Sequence, residues 1–201
     1  MKSAKALKTS KNSQNIKLSY FWKLIFSKTK PGDNLLDLGC GNGQNLIYLS
    51  RKGANITAVD KSLECIKELR EKIEKEKIIN FDVICSDITK FNIPENKFDI
   101  IIANNVLQFI DRKKSLQLIL NIKDCLKNNG IIGISSFTID DPCYKPAKTN
   151  LTYFSHKELL NLFKDFKILF YIESIIADKP HQGMPYNHRH GIVRLLGQKN
   201  P

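Results

Sequence analysis

Leu35-Leu36-Asp37-Leu38-Gly39-Cys40-Gly41-Asn42-Gly43 runs from an apolar strand into a glycine-rich turn, and the residues from Gln44 onward have the composition of a helix. Glycines suit such a turn because the backbone bends sharply and any Cβ would keep a ligand away from the main chain. The common dinucleotide fingerprint is G-x-G-x-x-G, which seats a pyrophosphate on the helix N-terminus. Here the glycines fall at 39, 41 and 43, and position 44 is glutamine. Asp37 sets a carboxylate just before the turn, which repels phosphate and suits a cation.

Further acids and amides follow at the ends of later strands. Asp60 closes ITAVD, about 20 residues past the first turn, where a carboxylate accepts from ribose hydroxyls. Cys85-Ser86-Asp87 closes the next strand, where Asp87 either accepts from an adenine amino group or only caps the following helix. Phe98 to Leu107 ends a fourth strand in Asn104 and Asn105; Asn104 is either a ligand contact or a satisfied buried amide. A nucleoside that carries positive charge and no phosphate fits this set, and S-adenosylmethionine, with an ammonium and a sulfonium, is such a ligand.

The surrounding pattern is α/β. Asn34–Leu38, Ile56–Val59, Phe81–Cys85, Phe98–Ala103 and Ile131–Phe137 are apolar runs expected of strands covered on both faces. Leu63, Ile66, Leu69 and Ile73, and later Leu118, Ile119, Ile122 and Leu126, recur at helical spacing. Gly53 suits a helix end, Asp111 a helix cap, and Ser155 with Glu158 a capping box. Lys167–Ile176 and Gly191–Lys199 read as two final strands with no helix between, hence antiparallel neighbours, and their connection is expected at the ligand-binding carboxyl edge.

With four motifs in order, residues from about 31 to 199 resemble the class I S-adenosylmethionine-dependent methyltransferases: LLDLGCGNG the first motif, TAVD the ribose contact, CSDI the adenine-site motif, FDIIIANNVL the fourth. LKNNGIIGISSF resembles the segment leading into strand five. The resemblance implies a Rossmann-like seven-stranded sheet in order 3-2-1-4-5-7-6, its last strand antiparallel, with helices on both faces. It implies S-adenosyl-L-methionine as cofactor, S-adenosyl-L-homocysteine as product, and contacts from Asp37, Gly39, Cys40, Gly41, Gly43, Asp60, Lys61, Ser86, Asp87, Ile88 and Asn104. LTYFSHKELLNLF and the histidine-bearing tail look most like the tellurite-resistance and small-molecule branch.

Several specialised chemistries lack their residues. The N/D-P-P-Y motif of amino methylation is replaced by NNVL. Asn104 and Asn105 carry no charge for a magnesium site, and no metal is expected. Cys143, in an irregular loop, lacks a second cysteine at strand four and is not read as a nucleophile. His188 and His190 are the catalytic candidates. His181, Tyr186 and Arg189 join Tyr20, Trp22 and Asn105 as candidate substrate contacts, although histidines in such a loop also close hairpins or ligate metal. Tyr20, Phe21 and Trp22 belong to an apolar helical segment, whose side chains are more often packed in a core than placed as a lid over a substrate.

Charge and composition set the outer bounds. Eight lysines precede the first acid, Asp33, and account for eight of the twelve net positive charges. A basic arm over residues 1–14 is therefore expected before one domain over 15–201 that opens with a helix at 16–26; such an arm is either a solvated terminus or an RNA contact. At 42% hydrophobic and 26% charged, with no apolar run approaching the roughly 20 residues of a span, the chain reads as globular, without a membrane partner. The five cysteines are scattered with no C-x-x-C pair, as in a reduced cytoplasmic protein. The expected function is methyl transfer to a small molecule such as a chalcogen oxyanion, thiol or amine. RNA methylation through the basic arm and noncatalytic cofactor binding are the alternatives. Oligomeric state and acceptor are not legible.

Overall fold

The computed structural model describes residues 20–146, 151–178 and 185–201. The expected basic arm, residues 16–19 of the expected first helix, and His181 lie outside them. Helix α1 (Tyr20–Lys28) buries Phe21, Trp22 and Ile25. It runs two residues past the expected end at 26, and both the backbone N–H and the hydroxyl of Thr29 then donate to the Ile25 carbonyl, satisfying an acceptor of the last turn.

From there strands and helices alternate: β1 (Asn34–Leu38), α2 (Gln44–Arg51), β2 (Asn55–Asp60), α3 (Leu63–Glu76), β3 (Phe81–Cys85), β4 (Phe98–Asn104), α4 (Arg112–Cys125), β5 (Leu126–Phe137), α5 (Glu158–Leu162), β6 (Phe166–Asp178) and β7 (His188–Lys199). The strands form one sheet in the order β3-β2-β1-β4-β5-β7-β6. Strands β1 to β5 pair in parallel, and β7 runs antiparallel to both β5 and β6. The order and the reversed last strand are those expected from the sequence.

Alternation along β4 shows why its apolar run is continuous. Ile100 and Ile102 pack with Phe21, Ile25, Leu46 and Leu69, from α1, α2 and α3, on one face. Ile101 and Ala103 pack with Leu118, Ile119, Ile122 and Leu159, from α4 and α5, on the other. A parallel strand covered on both faces has no solvent side to mark with polar residues.

Three local expectations change. Strand β5 begins at Leu126 rather than Ile131, because Leu126 pairs with Phe98 before a register shift brings Ile131 opposite Ile100; Asn129, with φ 61°, lies in the extra stretch. Strand β7 begins at His188 rather than Gly191, since its pairing with β6 continues to Asp178 opposite His188, so three residues read as loop are strand. Asp111 caps α4 by accepting from the N–H groups of Lys113 and Lys114. Ser155 and Glu158 form only half a capping box: Glu158 accepts from the Ser155 N–H at 3.0 Å, but the serine hydroxyl donates to the same carboxylate, and α5 starts at Glu158 itself.

No helix among the described residues is long and apolar enough to cross a membrane. Ile101, fully buried at the centre of the sheet, should be costly to truncate: Ile101→Ala is expected to lower unfolding free energy by about 2–5 kcal/mol, read from the urea midpoint with the denaturant slope unchanged.

Candidate functional site

The turn between β1 and α2 is pinned to the end of β2. The N–H groups of Gly39 and Cys40 both donate to the Val59 carbonyl, at 2.7 and 3.1 Å. Gly41 N–H donates to Oδ2 of Asp60 at 2.8 Å, and Oδ1 of Asp60 accepts from Ser62 N–H at 2.9 Å. Asp60 is thus held by main chain on both sides, with lone pairs left over to accept from hydroxyls.

The glycines do different work. All three have φ between +53° and +77°, which favours glycine. A Cβ at Gly39 would come within 2.3 Å of Val106, and one at Gly43 within 2.5 Å of Leu69, so these positions are closed by packing. A Cβ at Gly41 would meet nothing within 4 Å. Open space beside a left-handed residue whose N–H already binds an acid is what close approach of a ligand needs.

Two cavities meet at this turn, sharing Gly39 and Gly41. One, of about 220 Å³, is lined by Trp22, Asp37, Cys40, Gly43 and Asn104, together with Asn42, Gln44 and Asn45. The other, of about 440 Å³, is lined by Asp60, Lys61, Asp87, Ile88 and Asn105, with Val106, Phe109 and Ile110 as its apolar wall. Ten of the eleven expected cofactor residues therefore surround one continuous recess. Ser86 is the exception: its N–H donates to the Asp60 carbonyl, and it lines neither cavity.

Asp37 sits at the bottom of the smaller cavity, 4% exposed, and its Oδ1 has no hydrogen-bond partner. Burial pushes its carboxyl up to about 8, and the negative charge of Asp60 adds to the rise. A cationic group entering here would draw the proton off this carboxyl and meet both the resulting charge and an unused acceptor. Burial, then the charges of Asp37 and Asp60, raise the Cys40 thiol as well, which makes it an inert wall rather than a nucleophile. Asp87 does not cap a helix as expected, because none follows it: its Oδ1 accepts from the N–H and hydroxyl of Thr89 in a turn, which lowers its pKa, and the residue also lines the larger cavity.

Among the substrate candidates, Trp22 and Asn105 line the recess. Asn105, at φ 53°, accepts from the Ser135 hydroxyl at 2.8 Å. Tyr20 lies outside both cavities, 63% exposed and edge-on to Phe170. Tyr186 and Arg189 are exposed, while His190 is 7% exposed and stacks on Phe137. The sequence reading missed Asp141, which is 3% exposed and lies 2.8 Å from Nδ1 of His190. It also missed Phe109, whose only signal was an apolar residue just after the fourth motif.

The sheet order, its reversed seventh strand and the acids around the glycine turn define the class I S-adenosylmethionine-dependent methyltransferase fold. Residues 25–182 match the family model described as tellurite resistance protein TehB. The protein named "Probable S-adenosyl-L-methionine-dependent methyltransferase TehB" of Haemophilus influenzae Rd is 36% identical over 143 residues, 70% of this chain and 48% of that protein. Malonyl-[acyl-carrier protein] O-methyltransferase 2 of Ilyobacter polytropus is 33% identical over 63% of the chain and 44% of its own length. The crystal structure of TehB from H. influenzae superposes with a TM-score of 0.80 at 28% identity, over 94% of this chain and 64% of that one. The [4+2]-cyclase SpnF has a TM-score of 0.69 at 20% identity, over 89% and 79%, a likeness of fold alone. This chain belongs to the TehB family. It spans about half the length of the curated relatives it matches.

The raised Asp37 has a signed consequence. The unfolded carboxyl loses its proton near 3.8 and the folded one near 8, so between those values the unfolded state binds fewer protons and stability falls as pH rises. Asp37→Asn removes this dependence. Relative to that variant, the wild type should lose up to about 1.4 kcal/mol per pH unit across the window, measured by urea denaturation of both proteins at several pH values without ligand.

Proposed function

We propose that this protein is an S-adenosylmethionine-dependent methyltransferase acting on a small-molecule acceptor. The observation that carries the reading is the buried Asp37 carboxylate, with its unpartnered oxygen, facing a cavity left open by the missing Cβ of Gly41. Asp37 would hold the ligand's ammonium, and Asp60 would accept from its ribose hydroxyls. Ile88, Val106, Phe109 and Ile110 would cover the adenine, with Asp87 at its amino edge. When bound, S-adenosylmethionine supplies a methyl carbon on a sulfonium, already activated for in-line displacement.

The chain's remaining task is to hold an acceptor in line with that carbon and keep water out, an effect worth about 7–11 kcal/mol of barrier. A base is required only for an acceptor protonated at its nucleophilic atom. Trp22, Asn104 and Asn105 border the recess on the side from which an acceptor would enter, and His188 and His190 stand on the same carboxyl edge. The family description, which names tellurite resistance, supports a tellurium or selenium oxyanion as the first acceptor to test, then thiols and amines. A cytoplasmic setting belongs to the same reading and is supported by five cysteines that are all free thiols.

The fold by itself does not decide the chemistry, so the tests read binding and turnover separately. Calorimetry should detect S-adenosylmethionine uptake with proton release below about pH 8, lost in Asp37→Asn. Gly41→Asn, a residue that tolerates positive φ, should fold and bind at least about tenfold more weakly. With labelled cofactor, methyl transfer to oxyanions, thiols or amines is expected to exceed transfer to RNA. RNA labelling that disappears when residues 1–14 are deleted would replace this reading, and uptake without turnover in cell extract would leave a noncatalytic binder.

A further inference from the structure

At the far side of the carboxyl edge, the ends of β6 and β7 bring three donor side chains together. Asp178 stands directly opposite His188 in the antiparallel register. His190 follows two residues along, on the same face of β7. One carboxylate oxygen and one nitrogen from each ring all lie within 4.8 Å of one another, a spacing that a small side-chain rotation converts to metal–donor distances of about 2.0–2.2 Å.

The ring orientations are set by their other contacts. Asp141 accepts from the N–H groups of Cys143 and Gly191, and its Oδ2 also lies 2.8 Å from Nδ1 of His190. That nitrogen therefore carries a hydrogen. Nδ1 of His188 faces the Tyr186 carbonyl at 2.9 Å, and a carbonyl only accepts, so it carries one too. In the neutral rings both Nε2 atoms keep their lone pairs, and these two atoms face each other at 2.9 Å. Two lone pairs at this distance repel unless a cation stands with them. Asp178 adds a third donor and a negative charge.

We propose that Asp178, His188 and His190 form a site for a divalent transition-metal ion, with Asp141 as the positioning residue for His190. Two imidazoles and one carboxylate favour zinc and its first-row neighbours over magnesium or calcium. A carboxylate behind a ligating imidazole fixes its tautomer and raises its basicity. Three protein donors leave a coordination position for water or an anionic ligand. The sequence offered metal ligation only as one reading of the loop histidines and did not include Asp178, because the three residues lie ten and two positions apart and only the hairpin register gathers them. The proposal is independent of the methyltransferase reading, since metal binding is measured without S-adenosylmethionine.

The test uses untagged full-length protein, treated with chelator and desalted, then titrated with Co²⁺ and, by calorimetry, with Zn²⁺. The expected result is one ion per chain, a visible cobalt d–d band without thiolate charge transfer, and two hyperfine-shifted imidazole N–H resonances. Asp178→Asn and His188→Ala should abolish the band, and Asp141→Asn should weaken affinity about 10–100-fold, with circular dichroism confirming that each variant is folded. If a variant does not fold, the two N–H resonances of the wild type carry the test alone. The proposal is overturned if no ion binds more tightly than about 100 µM, which would leave a proton shared between the two rings as the occupant. It is equally overturned if both ligand variants retain the band, or if thiolate charge transfer places the ion on Cys85 or Cys143.

Discussion

The turn from β1 to α2 hangs from the last residues of β2, and the site depends on that suspension. Three consecutive N–H groups, those of Gly39, Cys40 and Gly41, donate to the carbonyl of Val59 and the carboxylate of Asp60. Without them the first turn of α2 would have no fixed relation to the neighbouring strand, and the two cavities would not meet. Each bond is individually modest, about 1 kcal/mol net and more to a charged acceptor, but an unsatisfied buried donor costs more than the bond contributes. The arrangement therefore tolerates little variation at position 60, whether or not a ligand is present.

Electrostatics and packing pull in opposite directions around this turn. The sheet core wants Asp37 neutral, and its high pKa in the free protein reflects that. A positive ligand would make the ionised form favourable. Under the proposed function, an acid that a bound cation would satisfy trades stability for selectivity, because neutral nucleosides would gain nothing from it and phosphates would be repelled. The larger cavity is less demanding. Under the proposed function its apolar wall would accept any flat ring, and discrimination there would fall to Asp87 and to Asp60.

Most of the sheet was legible because each parallel strand is an apolar run bounded by glycine, asparagine or an acid, and the paired glycines and acids mark where strands end. What escaped was settled by pairing rather than by local pattern. Leu126 shares the helical spacing of Leu118 and Ile122, and Lys127 to Gly130 carry no strand pattern, yet the partner strand draws the stretch into β5. His188 and Arg189 look like loop residues, yet Asp178 and Ala177 lie opposite them and extend the hairpin. The residues lining the recess at the glycine turn were largely visible in four motifs, whereas Asp141 was not, because its contact with His190 requires β7 to lie beside the end of β5. Tyr20 shows the converse. An aromatic at helical spacing next to Trp22 shares its neighbour's sequence signal but faces Phe170 instead.

Gly191 sets how closely the loop after β5 can lie against β7. A Cβ there would fall 2.5 Å from the Asp141 backbone nitrogen and 2.7 Å from the Thr138 hydroxyl, while its own N–H donates to the Asp141 carboxylate. The loop after β5 can reach His190 only because the next residue has no side chain. A side chain at 191 would therefore push the loop after β5 away from β7, and with it the Asp141 carboxylate that reaches the His190 ring.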